Sequence, residues 1–132
     1  MAKYKLTEEY DDILEQLITS ESELKYITDN GVAVGIVASE TEKKKGGNLV
    51  YADCRKVSEM YRLFTPFDFI ITVYEPNCIH LSPDQMKVLV FHELLHVGAE
   101  RTDKDEVKLS IRAHDFEDFR IIVKRFGEDW NM

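Results

Sequence analysis

Apolar side chains recur along this chain at several spacings, and each spacing predicts a different element. From Leu6 to about Ile27, Tyr10, Ile13, Leu14, Leu17 and Ile18 return every three or four positions with acidic residues between them. That is the signature of a helix with one buried face. Asp11 and Asp12 fall in its first turn, where the positive end of the helix dipole favours carboxylates. Ser20-Glu21-Ser22-Glu23 has capping-box spacing, which predicts a break near Thr19 and two shorter helices. Asn30-Gly31 is a turn signal, and Val32 to Ala38 reads as a buried strand. Lys43-Lys44-Lys45-Gly46-Gly47 reads as a solvated hairpin tip, with a second strand over Asn48 to Val57. Ser58 to Pro66 is expected to loop over. Phe67 to Tyr74, dense in aromatic and β-branched residues, is the strongest strand pattern, and Glu75-Pro76-Asn77 ends it.

Ser82-Pro83-Asp84-Gln85 is a nearly complete helix start: Ser82 as N-cap, Pro83 at the first helical position, Gln85 three residues past the cap. The helix is expected to reach about Val97, with Gly98 placed to stop it. Val107, Leu109 and Ile111 then alternate with Lys108, Ser110 and Arg112, predicting a short strand. A last helix is expected from about Asp115 to Gly127, carrying Phe116, Phe119, Val123 and Phe126 on one face. The pattern predicts one α+β domain over residues 1–132, with a small mixed β-sheet, a buried central helix and a C-terminal helix.

Composition narrows the function classes. Of 132 residues, 44% are apolar and 32% charged, enough for a core and a solvated surface, which argues against wholesale disorder. The longest apolar runs, such as Phe69–Tyr74 and Val88–Phe91, fall far short of the roughly 20 residues a spanning helix needs, so no membrane partner is expected. The N-terminus turns acidic before any hydrophobic segment appears, so no secretory signal is read and a cytoplasmic location is expected. A net charge of −8 disfavours a nucleic-acid partner, whose phosphates are met by Lys and Arg. Cys54 and Cys78 make neither a disulfide framework nor, alone, a structural zinc site.

The chemistry lies in the Ser82 helix, at His92-Glu93-Leu94-Leu95-His96. Residues four apart lie one helical turn above each other, so two imidazoles in an H-E-x-x-H string can grip one metal ion from the same face. Glu93 is rotated about 100° from His92 and borders that face, where a carboxylate can reach a water activated at the metal without ligating the metal itself. Shuffling this composition produces the string in roughly one chain in a hundred, and its context makes coincidence rarer still. Met86, Val90, Phe91, Leu94, Leu95 and Val97 make the rest of the helix almost wholly apolar, so it belongs in a core. Polar groups buried there need partners, which a metal supplies. The competing reading is a pair of core histidines satisfied by neighbouring carboxylates.

A catalytic zinc usually takes three protein ligands and keeps the fourth position open. The metzincin pattern is excluded, because Ala99 and Thr102 stand where its glycine and histidine would fall. His114, 18 residues after His96, is the preferred third ligand, with Glu117 as the alternative. Glu100, Asp115 and Asp118 are candidates to orient the imidazoles. His80 reads as a boundary residue before Ser82. Asp53 and Cys54 sit mid-strand; a mixed Cys/His site is conceivable there, but a buried reduced thiol is the preferred reading of Cys54. Tyr61 and Tyr74 could donate to an oxyanion, although core tyrosines are the default.

Ala52-Asp53-Cys54-Arg55-Lys56-Val57, Phe67 to Val73, Phe91 to Val97 and His114 to Phe119 together resemble the putative phage metallopeptidase family, found in phages and prophages. The resemblance covers roughly residues 30 to 127. His114-Asp115-Phe116-Glu117 is also similar, more loosely, to the later histidine segment of SprT-like proteases, although the glycine usual after that histidine is missing. The resemblance implies a minimal zincin, with the metal-binding helix packed under the sheet and a second helix delivering the last ligand. The expected function is a zinc-dependent peptidase acting on a protein or peptide substrate. His92, His96 and His114 would hold Zn2+, and Glu93 would act as general base. The Phe67–Tyr74 strand, if it lies at a sheet edge, could align an extended peptide by strand addition. The alternative is a non-catalytic, zinc-stabilised binding or regulatory module, for which four protein ligands would close the site and Glu93 would have no purpose.

Overall fold

The alternating and helical patterns resolve into three helices and eight strands in a computed structural model that describes residues 4–113. Helix α1 (Glu8–Ser20) starts at Thr7, whose side chain caps the Tyr10 amide, and buries Tyr10, Leu14 and Leu17. The expected break falls at Glu21, where the backbone becomes extended. A 3₁₀ turn over Ser22–Leu24 then leads into α2 (Lys25–Asp29).

Four strands form the main sheet: β1 (Tyr4–Lys5), β2 (Val34–Ser39), β5 (Ala52–Lys56) and β6 (Phe69–Tyr74), in the spatial order β1-β2-β6-β5. The sheet is mixed, as expected, because β2 and β6 run parallel while β1 and β5 pair antiparallel with them. Register puts Val34, Ile36 and Ala38 beside Phe69, Ile71 and Val73, and these beside Lys56, Cys54 and Ala52, on one face. The apolar residues of β2 and β6 on that face join Leu14, Leu17, Leu24, Ile27 and the central helix in one core cluster. The other face is covered locally: the Phe67 ring lies over Gly35, where an added Cβ would come within 3.1 Å of it.

Asn48 to Val57 is two strands rather than one. A short β3–β4 hairpin (Lys44–Lys45 and Asn48–Leu49) turns through Gly46 and Gly47, both at positive φ, and β5 begins only at Ala52. Asn77 separates the two, because its side-chain amide donates to the carbonyls of Lys43 and Val50 and ties the hairpin base to the end of β6.

Helix α3 (Pro83–Leu94) carries the full capping box: Ser82 Oγ accepts from the Gln85 amide, and Gln85 Oε1 accepts from the Ser82 amide. Val88, Leu89, Val90, Phe91 and Leu94 are all buried against the sheet and α1, and each buried side chain of this size contributes about 1.5–3 kcal/mol. The helix ends three residues earlier than the pattern predicts. Val97 opens β7 (Val97–Arg101), which pairs antiparallel with β8 (Val107–Ile111). Gly98 therefore does not cap the helix but permits close strand packing, since a Cβ there would lie 2.4 Å from Ser110 Oγ. The expected C-terminal helix, with His114, Asp115, Glu117 and Asp118, lies outside the described residues.

Candidate metal centre

Because α3 starts beside the C-terminal ends of β2 and β6 and runs back along the sheet, its last turn reaches the opposite end. His92 and Glu93 sit on that last turn, and His96 follows it. The chain stays coiled past Leu94: the Leu95 amide still donates to Phe91 O at 3.1 Å, and the His96 amide to Glu93 O at 3.1 Å. The second bond closes a tighter, 3₁₀-type ring, so His96 remains one turn above His92 although it is outside the helix. The imidazoles meet edge to face, with centroids 5.3 Å apart and planes at 69°. His92, Glu93 and His96 each present a ligand atom, all within 4.8 Å of one another. Among the described residues, this is the group of at least three metal-ligating side chains close enough to share an ion.

Glu93 is buried, 5% exposed, and its Oε2 lies 3.9 Å from His92 Nε2. A carboxylate held there is expensive unless it is partnered, and a bound cation would be one such partner. His96 is oriented from behind. Its Nδ1 lies 2.8 Å from the carbonyl of Arg112, which can only accept, so Nδ1 donates there and, in the neutral ring, Nε2 is the nitrogen with a lone pair for a metal. The Arg112 amide in turn donates to His96 O at 2.6 Å. A backbone carbonyl fixing the rear nitrogen of an imidazole is the usual support of a metal-ligating histidine. The donor set thus fits a divalent metal held by nitrogen and oxygen ligands.

The sheet reaches this centre through β5. Cys54 faces α3, and burial together with the neighbouring Glu93 carboxylate pushes its thiol up to about 12. It is a free thiol and does not belong to the metal-ligating group. Asp53 points to the opposite face, where Oδ2 accepts from Lys43 Nζ and Tyr74 Oη, both at 2.7 Å. This excludes Asp53 from the centre. Tyr74 is buried in that same cluster, whereas Tyr61 is exposed on the loop between β5 and β6 rather than in the core. His80 is an exposed turn residue whose ring lies against Tyr51. One expectation is reversed outright: β6 lies between β2 and β5, so it is interior to the sheet and cannot receive a peptide strand. Among the described residues, the strand near the centre with a neighbour on one side only is β5.

Tyr26 and Arg112 are the residues at this end that sequence reasoning passed over. Tyr26 sat within an ordinary helical pattern, and the contribution of Arg112 to His96 comes from its backbone, which no residue type announces.

The fold and the site define a small α+β domain with a histidine–glutamate–histidine group of metal-ligating type at the end of a buried helix. The chain belongs to the family described as putative phage metallopeptidase, which it matches over residues 2–132. No curated protein and no solved structure matches the chain. No helix among the described residues is long and apolar enough to cross a membrane.

Proposed function

We propose that this protein is a zinc-dependent peptidase, with Zn2+ held by His92, His96 and His114 and with Glu93 as general base. The observation that carries this reading is the convergence of two imidazoles and a buried carboxylate within 4.8 Å, in a member of a metallopeptidase family. Imidazole donors favour zinc among the common divalent ions, and zinc, when bound, polarises a carbonyl and brings the pKa of a water toward neutrality.

The chain's own groups do the rest. Glu93 is shielded by the core on one side and faces the imidazoles on the other, so its carboxylate is placed to accept a proton from the attacking water. It then returns that proton to the nitrogen of the leaving amine. The peptide lies along β5. Bonds from Tyr74 N to Tyr51 O and from Val57 N to Asp68 O set the register, which leaves the amides and carbonyls of Ala52, Cys54 and Lys56 turned away from β6. That edge can pair with an extended substrate by strand addition. Lys56 Nζ reaches Leu109 O at 3.5 Å, so the β7–β8 hairpin stands beside the same edge.

Elemental analysis of the purified protein, run beside His114→Ala and Glu93→Gln, tests the reading. About one zinc per chain is expected, lost in His114→Ala and kept in Glu93→Gln, with hydrolysis of a denatured protein substrate abolished in Glu93→Gln. Zinc retained by His114→Ala but lost from Glu117→Gln moves the third ligand to Glu117. A folded protein that takes up no zinc overturns the proposal.

A further inference from the structure

We propose that Tyr26 is a positioning residue for the metal centre, acting through His96. The inference rests on the metal-centre reading above and adds a residue on α2 that lies far from the H-E-x-x-H string in sequence.

His96 needs an external support, because α3 ends at Leu94 and the ladder closes with the Leu95 and His96 amides, with β7 opening at Val97. Two backbone carbonyls flank the turn that carries it. Leu94 O belongs to the last turn of the helix, where carbonyls have no amide four residues on. Val97 O lies just beyond His96. The bond from the Arg112 amide to His96 O makes 96 and 112 a hydrogen-bonded pair, so 97 and 111 are a non-bonded pair and Val97 O points away from β8. Both carbonyls therefore need a donor from elsewhere, and Val97 is fully buried, so water cannot serve.

The Tyr26 hydroxyl lies between them, at 2.5 Å from Val97 O and 3.4 Å from Leu94 O. A phenol has one proton, and the distances assign it to Val97. Burial raises the Tyr26 pKa, which keeps the phenol protonated and able to donate, and the Arg112 guanidinium near the hydroxyl opposes part of that rise. Arg112 is the same residue whose backbone holds His96 Nδ1 and His96 O. One hydroxyl thus joins α2, the His96 turn and the end of β8, and fixes the imidazole from both sides of its backbone.

Tyr26→Phe keeps the ring and removes only the hydroxyl. Zinc affinity of the folded protein, read by competition with a chromophoric chelator, is expected to weaken ten- to a hundredfold, the range for residues that orient a ligating histidine. The Co2+-loaded protein should show a shifted visible spectrum, which a loss of stability alone would not cause. Tyr10→Phe, which loses a hydroxyl bond to Glu75 at the other end of the sheet, is expected to bind zinc as the unaltered protein does. Equal affinity and spectrum in Tyr26→Phe and the unaltered chain overturn the proposal and leave the metal centre standing. Absence of zinc uptake by the unaltered chain overturns both. If Tyr26→Phe does not fold, 3-fluorotyrosine at position 26 reports instead: its ¹⁹F resonance should move on adding zinc, and an unmoved resonance overturns the proposal.

Discussion

Gly98 and Ser110 face each other across the β7–β8 hairpin with no space for a side chain on Gly98. A Cβ there would meet Ser110 Oγ at 2.4 Å and Ser110 O at 2.7 Å. The hydroxyl could rotate away, but the carbonyl is part of the ladder. The same hairpin brings Arg112 back to His96, so its close packing matters for the candidate metal centre as well as for the fold.

Gly98→Ala is therefore expected to destabilise the protein by about 1–3 kcal/mol, the usual cost of overpacking. Thermal unfolding checks this. Adding Ser110→Ala should recover only part of the loss, because the backbone clash remains. Full recovery would mean that the hydroxyl alone sets the spacing.

The start of α3 offers an independent test far from that hairpin. Ser82→Ala removes the acceptor for the Gln85 amide and should cost about 0.5–2 kcal/mol in urea unfolding. Gln85→Ala removes the reciprocal bond to the Ser82 amide. The two losses should be less than additive, since both substitutions dismantle one capping box. Strict additivity would show that the two bonds form independently.

How much of this could be read from residues alone depended on whether the cause was local. The capped start of α3 and the hairpin at Gly46-Gly47 each follow from side chains within four positions of one another, and each was legible; the break after α1 falls where expected, but at Glu21 and without the capping-box bond from which it was read. Legible too was the H-E-x-x-H string, whose spacing carries its own geometry. The end of α3 was not, because the strand that follows it is held by residues distant in sequence, Tyr26 at Val97 O and Ser110 opposite Gly98. Nor was the place of β6 in the sheet: a rich apolar run marks a strand, but its interior position depends on β5 pairing to its second edge. His114, expected as the third ligand, lies outside the described residues.

If zinc occupies the centre, its removal should loosen the hairpin selectively. Such an ion would gather His92 and His96, and His96 holds Arg112 through two bonds. Free zinc at a hundredfold over its dissociation constant would stabilise the folded state by about 2.7 kcal/mol. A chelator should therefore lower the unfolding temperature and speed hydrogen exchange at the Arg112 amide more than at the Ile36 or Ile71 amides of the sheet. Uniform acceleration would place the stabilisation elsewhere.

Cys78 gives a pH dependence whose sign is fixed by burial. Desolvation first, and the Glu75 carboxylate second, push its thiol from an ordinary value of 9.0 up to about 12. Between these values the unfolded chain releases the proton and the folded chain keeps it. The contribution is present below pH 9 and is lost as pH rises from 9 toward 12, at up to 1.36 kcal/mol per pH unit for a single group. Other groups titrate in the same range, so the effect is isolated by comparing the unaltered protein with Cys78→Ala. Alanine cannot ionise, so the variant should lose stability less steeply between pH 9 and 11, whatever it costs in packing at pH 7. Parallel slopes would show that Cys78 ionises as readily in the folded chain as in the unfolded one. The same burial predicts that iodoacetamide at pH 8 leaves Cys78 unmodified in the folded protein and alkylates it in urea.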